Sequence, residues 1–517
     1  MKAQFSLLIT SVVLNSIFYL LGLRFFTLDD SYIILKTAEN FLQHGQLFSY
    51  NIMDGNTNAI TSFFFYLISI IVVALIWVIN APMVESYTFV IFILNFYFLL
   101  NTLKDFHQIM SKKLTNNASK LTLAFFTTLY PILIIWTNGL ETSLALFLIV
   151  KIVKKLLINE YRGLELLVAL LILTRPDLGV SAVIVLLLLS LTKVLRSTRF
   201  LLGGISVFLA PMIFSKIITG DFLSSSISRV PIGGNEDIYF KLISAVKNLI
   251  RIPIYFANFT VPHNGFDILS GFVPIVIKFV SIGIFLYFLL LASMQVLSLY
   301  RSRSNFTIYF EAFNLGKLTI FLYLLSLMTV SSITGTGLGE FNRYFVFIYV
   351  IALILILVSK PKFFYVGIFK LLLIINLIMI PSVFVEVGSA IAFNNQVLYP
   401  VAKKMQEITH SNDTIMLDSA GLISIFAKGK VVDVYGLGTQ RYSKVHGDFK
   451  QVYQLIYKDN PDFIVAWKLD KPTYYLDSAH YKLALLNAEF QPVFSRQDSY
   501  FGKSSYPELA IYRVVYP

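Results

Sequence analysis

The sequence predicts a polytopic α-helical membrane protein with a soluble α/β domain at its C-terminal end. Three observations predict it. Only 14% of the 517 residues are charged, against about 25% in an ordinary soluble protein. Apolar blocks such as VSAVIVLLLLSL (180–191) recur along the first three-quarters of the chain. A single block of that kind suits a core helix, whereas a long series of them suits a bilayer. After Pro381 the charged residues return and the long apolar runs stop.

Eleven spans are expected, at about 5–26, 84–103, 121–137, 143–158, 163–174, 178–192, 200–219, 269–298, 318–334, 344–358 and 363–385. The first follows Lys2 and lacks a small-residue cleavage site, so it reads as a retained helix rather than a signal peptide. The apolar stretch 59–79 needs a separate decision, which charge makes. If it does not span, the basic clusters Lys104/Lys112/Lys113/Lys120, Lys154/Lys155, Lys193/Arg196/Arg199, Arg301/Arg303/Lys317 and Lys360/Lys362 all fall on the side of Lys2. The positive-inside rule favours that arrangement, with a cytoplasmic N-terminus. The formal charge of +13 is then topological rather than a nucleic-acid footprint. The absence of cysteine excludes disulfides, thiolate nucleophiles and zinc–thiolate sites.

The opposite face collects LDDSYI (28–33), NGLETS (138–143), TRPDLG (174–179), TGDFLSSSISRVPIGG (219–234), GTGLGEFNRYF (335–345) and everything beyond 386. Acids, glycines and isolated arginines dominate there, which points to one shared site on the outer face. The organisation expected is a transmembrane domain at 1–385, with a first outer loop at 27–83 carrying interfacial helices, and an outer α/β domain at 386–517. In that domain DTIMLDSAG (413–421), KGKVVDVYGLG (428–438), PDFIVAWK (461–468), FQPVFSRQ (490–497) and ELAIYRVVY (508–516) read as strands. DFKQVYQLIYKDN (448–460) reads as a helix ended by Pro461. GLG (436–438) lacks the spacing of a dinucleotide fingerprint.

Chemistry can be assigned to few residues. Asp29 and Asp30 follow the first apolar run. A charge near the membrane is costly and is a functional-site hypothesis by default, although charge pairs are often only solvated loop. A carboxylate there can take the proton of an attacking hydroxyl, or can hold a loosely bound divalent cation (Mg or Mn). No other cofactor is implied. Arg175 and Arg343 sit at helix ends on the outer side, and a guanidinium fork suits phosphate oxygens. The bland reading pairs Arg175 with Asp177 and Arg343 with Glu340. Glu141 caps the next helix or marks the site, and acids favour a first turn. Arg229 and His263 are weaker candidates, since isolated loop charges are usually solvated.

As an ordered set these residues resemble a known family. An acid pair follows the first helix, then Ala38, Asn40 and Gly45, then Thr57–Asn58, GLET (139–142), TRPD (174–177), RYF (343–345) and VVDVYGL (431–437). The order is similar to that of the GT-C superfamily of polyprenyl-phosphate-sugar-dependent glycosyltransferases, and most to the bacterial branch with the mycobacterial terminal arabinofuranosyltransferases. The resemblance covers nearly the whole chain. It implies an inverting transferase that moves a sugar from a polyprenyl-phosphate donor to a hydroxyl of a cell-envelope glycan or glycolipid. The active site would lie on the outer face of the bacterial inner membrane, with the C-terminal domain periplasmic or extracellular. It implies Asp29 or Asp30 as base, Arg175, Arg343 and Arg229 near the donor phosphate, and Lys36, Asn40, Thr57, Asn58, Glu141, Asp177, Tyr344 and His263 around them. Two departures stand out. GDFLSSSISR (220–229) replaces a loop that in relatives carries Pro, Asn and Lys, and GNTN (55–58) replaces the usual GYTN. The alternatives are a glycan ligase or polymerase using a polyprenyl-diphosphate-linked glycan, and a lipid-linked-sugar flippase or transporter. No internal repeat of the transporter kind is visible.

Overall fold

The computed structural model describes residues 2–178, 183, 198–220, 346–354, 364–417, 421–468, 481–496 and 508–517, apart from positions 28, 52–56, 58, 61, 113, 159, 177, 349, 352, 446–447, 483–484 and 486–487. They are mostly helical, with a sheet near the C-terminal end. Contacts divide the chain into two units. One joins 1–14, 92–210 and 234–387; the other joins 15–91, 211–233 and 388–517.

The helices up to residue 174 are α1 (Lys2–Leu20), α2 (Ser31–His44), α3 (Phe63–Val78), α4 (Met83–Ser111), α5 (Asn116–Thr127), α6 (Tyr130–Ile134), α7 (Thr142–Leu157) and α8 (Leu164–Thr174). Then come α9 (Thr198–Thr219) and α10 (Phe364–Phe393). Several differ from the expected spans. α1 stops at Leu20 rather than Phe26, because Gly22 turns left-handed at φ +103 and Leu23, Phe25 and Phe26 are buried beyond it. The expected span 121–137 is two pieces. Thr127 and Thr128 hydroxyls bond back to Ala124 and Phe125 carbonyls, and Pro131 opens the next turn without an N–H. α4 runs to Ser111, past the expected 103. α3, the stretch decided by charge, has 16 residues, or about 24 Å at 1.5 Å per residue, short of a hydrocarbon core of about 30 Å. Among the described residues two helical stretches, Met83–Ser111 and Asn376–Ile408, are long and apolar enough to cross a membrane. The expected spans at 269–298 and 318–334, and nearly all of 178–192, lie outside the described residues.

Local rules explain the helix ends. α2 ends where Gly45 takes φ +69 and donates its N–H to the Phe41 carbonyl at 2.8 Å. Thr115 caps α5 by accepting from the Ala118 N–H at 3.4 Å. α10 passes through Pro381 and continues into a π-helical turn at Asn394–Leu398 and then α11 (Tyr399–Ile408).

In the second unit the sheet order is β2-β1-β3-β5-β4, from β1 (Thr414–Leu417), β2 (Lys430–Asp433), β3 (Phe463–Lys468), β4 (Glu489–Arg496) and β5 (Glu508–Val515). β1 is parallel to β2 and β3, whereas β5 is antiparallel to β3 and β4. All five strands and the helix α14 (Phe449–Asp459) fall where hydrophobic pattern and Gly/Pro punctuation put them. Short helices α12 (Leu422–Phe426) and α13 (Gln440–Lys444) connect the early strands. Alternate residues Met416, Val432, Ile464, Ala510 and Tyr512 pack with Val452 and Ile456 of α14. Ile415, Leu417, Val431, Val465 and Ile511 are fully buried too, so the central strands are covered on both faces. Asp448 caps α14, accepting from the Gln451 N–H at 3.2 Å, and Asn460 closes it left-handed at φ 46.

The Gly-rich exit of β2 is built around Asp433. Its carboxylate accepts from the Tyr435 N–H at 2.9 Å and the Gly438 N–H at 2.6 Å. Gly436 has φ +84, and a Cβ there would lie 2.6 Å from the Ser443 Cα. Gly436→Ala is therefore expected to destabilise the sheet domain by about 1–3 kcal/mol, read as a lowered denaturation midpoint of the full-length protein in detergent.

Candidate functional site

The site candidates fall in both units, and each unit is described by itself. In the second unit the acid pair lies in the turn between α1 and α2. The Tyr32 hydroxyl accepts from the Phe26 N–H at 3.0 Å, and the Asp29 carbonyl accepts from the Tyr32 N–H at 3.0 Å. Both aspartates are half-buried. Asp30 occupies the N-cap position of α2 in a helical conformation, with no side-chain cap bond.

The Asp29 carboxylate is held at both oxygens. Oδ2 accepts from the Gly421 N–H at 2.9 Å and Oδ1 from the Leu422 N–H at 2.7 Å. Both donors stand at the start of α12, after β1. Position 421 has no room for a side chain, because a Cβ would overlap the Asp29 carbonyl oxygen, Cγ and Oδ1. Burial pushes the Asp29 carboxyl up from its ordinary value, opposed by the Leu422 and Gly421 hydrogen bonds.

Lys36 is one of several residues that continue this contact. Its Nζ donates to the Ser424 carbonyl and lies 5.8 Å from the centre of the Tyr50 ring. Burial pulls the Lys36 ammonium down to about 8, opposed by Glu39, and burial pushes Glu39 up to about 7, opposed by Lys36. Tyr50 is fully buried and lies against Gly438, where a Cβ would come within 2.6 Å of the ring. Asn51 pairs with the outer edge of β2. Its Nδ2 donates to the Val431 carbonyl at 2.5 Å and its Oδ1 accepts from the Val431 N–H at 3.1 Å. An exposed strand edge is thereby satisfied by one side-chain amide.

Two expected site-lining residues have structural tasks. Asn40 Nδ2 donates to the Ser49 and Tyr50 carbonyls, both at 2.9 Å. The Thr57 hydroxyl accepts from the Tyr50 N–H at 3.3 Å. Both shape the 48–51 turn. Arg229, Arg343, Tyr344, His263, Asp177 and Asn58 lie outside the described residues.

In the first unit GLET and TRPD come together. Arg175 and Glu141 are both buried, with Nη1 to Oε1 3.5 Å apart. The guanidinium carbon lies 5.6 Å from the Phe347 ring centre. Glu141 stands at the N-cap of α7 but makes no side-chain cap bond, so the expected capping role gives way to the ion pair. Asn138 fixes the turn by accepting from the Leu140 N–H at 2.9 Å, and Asn95 of α4 donates to the Leu140 carbonyl at 3.1 Å.

Among the described residues no three His, Cys, Asp or Glu side chains are grouped to hold a Mg or Mn ion. Gly421, Tyr50, Asn51 and Glu39 were missed by sequence reasoning. Gly421 closes the expected 413–421 strand-and-turn, which was a usable signal, but its partner could not be read.

A family described as a domain of unknown function (DUF8728) matches residues 389–512. No curated protein matches the chain significantly. Among solved structures, the archaeal oligosaccharyltransferase AglB from Archaeoglobus fulgidus, in complex with an inhibitory peptide and a dolichol-phosphate, is similar at 11% identity and a TM-score of 0.48. The match covers 97% of this chain and 74% of that one. ArnT from Cupriavidus metallidurans, in the apo state, is similar at 13% identity and a TM-score of 0.41, over 97% of each chain.

Two outcomes follow. Glu141→Ala leaves a buried guanidinium without its carboxylate and is expected to cost ~3–5 kcal/mol, with Glu141→Ala/Arg175→Met costing less than the sum of the single changes. Denaturant unfolding in detergent measures both. Glu39 retains a proton in the folded state between its ordinary value of 4.5 and about 7, where the unfolded chain has lost it. Stability therefore falls as pH rises through that window. Thermal unfolding against pH should show that fall in the wild type and a smaller one in Glu39→Gln, the remainder coming from Asp29, which burial also raises.

Proposed function

We propose that this chain is a membrane-embedded glycosyltransferase of GT-C type that uses a polyprenyl-phosphate-linked sugar. The observation that carries the reading is Asp29, a half-buried carboxylate in the turn between α1 and α2 whose two oxygens are held by backbone N–H groups. A general base must be oriented, and it works best when its pKa is moved toward the operating pH. Asp29 meets both conditions: two donors fix it, and burial raises it. Each oxygen accepts one N–H and retains a second lone pair for an acceptor hydroxyl. Asp29 is thus favoured over Asp30 as the base. The ordered motif set supports the same reading. Within the first unit, the Arg175 guanidinium, paired with Glu141 and facing Phe347, has the planar fork that suits a lipid phosphate.

In this mechanism an acceptor hydroxyl of a cell-envelope glycan or glycolipid attacks the anomeric carbon from the face opposite the phosphate. Asp29 takes the hydroxyl proton, the bond from carbon to phosphate oxygen breaks, and polyprenyl phosphate leaves as the anion. Configuration inverts in the single displacement. The reaction would take place on the outer face of a bacterial inner membrane.

The test is release of polyprenyl phosphate from a panel of polyprenyl-phosphate sugars by the purified protein. Asp29→Asn is expected to lose about 10²–10⁴-fold in rate with lipid binding retained, and Asp30→Asn less. Equal activity of both variants and the wild type would sink the mechanism. Lipid binding by the wild type without release would favour a flippase instead.

A further inference from the structure

The C-terminal domain reaches the acid turn at both of its ends. On one side the π-helical turn after α10 supplies Asn394, whose Nδ2 donates to the Phe26 carbonyl at 2.6 Å. Tyr399 packs its ring 5.0 Å from that of Phe25. On the other side Gly421 and Leu422 hold Asp29. Residues 25–29 are therefore bracketed by contacts from 394–399 and from 421–422. Lys36 on Ser424, Asn51 on Val431 and Tyr50 on Gly438 extend the contact along α2 and the following turn.

Gly421 is the position where this contact admits no alternative. The glycine has no left-handed requirement of its own, since its φ is −84. What demands it is proximity, because any Cβ would enter the space of the Asp29 carboxyl group. A contact that served only to attach the domain could be made by Asn51, Lys36 and the ring contacts. The close approach at 421 fixes the direction of one carboxylate as well.

Building on the transferase reading above, we propose that the C-terminal domain is a positioning element for the reaction, with the Gly421 and Leu422 N–H groups setting the Asp29 carboxylate and Asn394 setting the turn that carries it. The domain then contributes to the chemical step without touching the sugar. Its β1 exit acts as an orienting group for the base, as a third group does in other acid–base pairs.

The experiment compares three variants of the full-length protein in detergent. Gly421→Ala pushes a methyl into Asp29. Asn394→Ala removes the amide at Phe26 without adding an atom. Gly429→Ala is the control, because a Cβ there meets the Asp413 and His410 carbonyls, inside the domain and away from the acid turn. Turnover and the KM for donor are measured by polyprenyl-phosphate release, folding by thermal unfolding, and local order by hydrogen exchange at residues 26–35. Gly421→Ala is expected to lower kcat by about 10²-fold, the scale of a 1 Å misplacement, with donor KM unchanged. Asn394→Ala is expected to lower kcat less, and both variants to raise exchange at 26–35. Gly429→Ala is expected to lower the unfolding temperature while keeping kcat. If Gly421→Ala and Asn394→Ala lose no more kcat than Gly429→Ala, the domain is only a structural cap and the proposal is overturned. If the wild type releases no polyprenyl phosphate from any donor, the transferase reading fails, and the positioning role fails with it.

Discussion

In the second unit the arrangement turns on one carboxylate and two amides. Asp29 spends an oxygen on each of the Gly421 and Leu422 N–H groups, and charge-assisted bonds of this kind are roughly twice as strong as neutral ones. The remaining contacts of the loop with the sheet are consistent with that anchor. Lys36 satisfies a carbonyl of α12, Asn51 satisfies the edge of β2, and Tyr50 lies flat where Gly438 leaves space. Each satisfies a polar backbone group or fills a void, so the loop is ordered by the sheet and the sheet edge is protected by the loop.

The first unit shows a different use of charge. Arg175 and Glu141 are buried together, an arrangement that contributes little to net stability but is expensive to break. Phe347 covers the guanidinium face. Such a pair holds a cation at a defined place and orientation, which suits recognition better than it suits stability.

Parts of this were legible in the sequence. The strands of the sheet domain alternate or run apolar between Gly and Pro, and the period of α14 ends at Asn460–Pro461, so local pattern located them. The left-handed end of α2 is written in Gly45. Long-range partners were not legible. Arg175 meets Glu141, which stands before α7, a partner that chain order does not suggest, because side chains on neighbouring helices approach in space and not along the chain. The apolar run at 5–26 reads as one helix, but hydrophobicity cannot distinguish a lipid-facing turn from Phe25 and Phe26 buried in a core. Asn40 and Thr57 carry motif positions, and their side chains hold the 48–51 backbone, a task that only the folded turn reveals.

The partners of the Asp29 contact lie 392 and 393 residues apart in sequence. At a synthesis rate of 5–20 residues per second, roughly 20–80 s separates the emergence of the carboxylate from that of the amides that hold it. Through that interval Asp29 lacks the two N–H groups that hold it. A chain that stops before residue 421 would carry the first-loop acids and still lack the amides that hold Asp29.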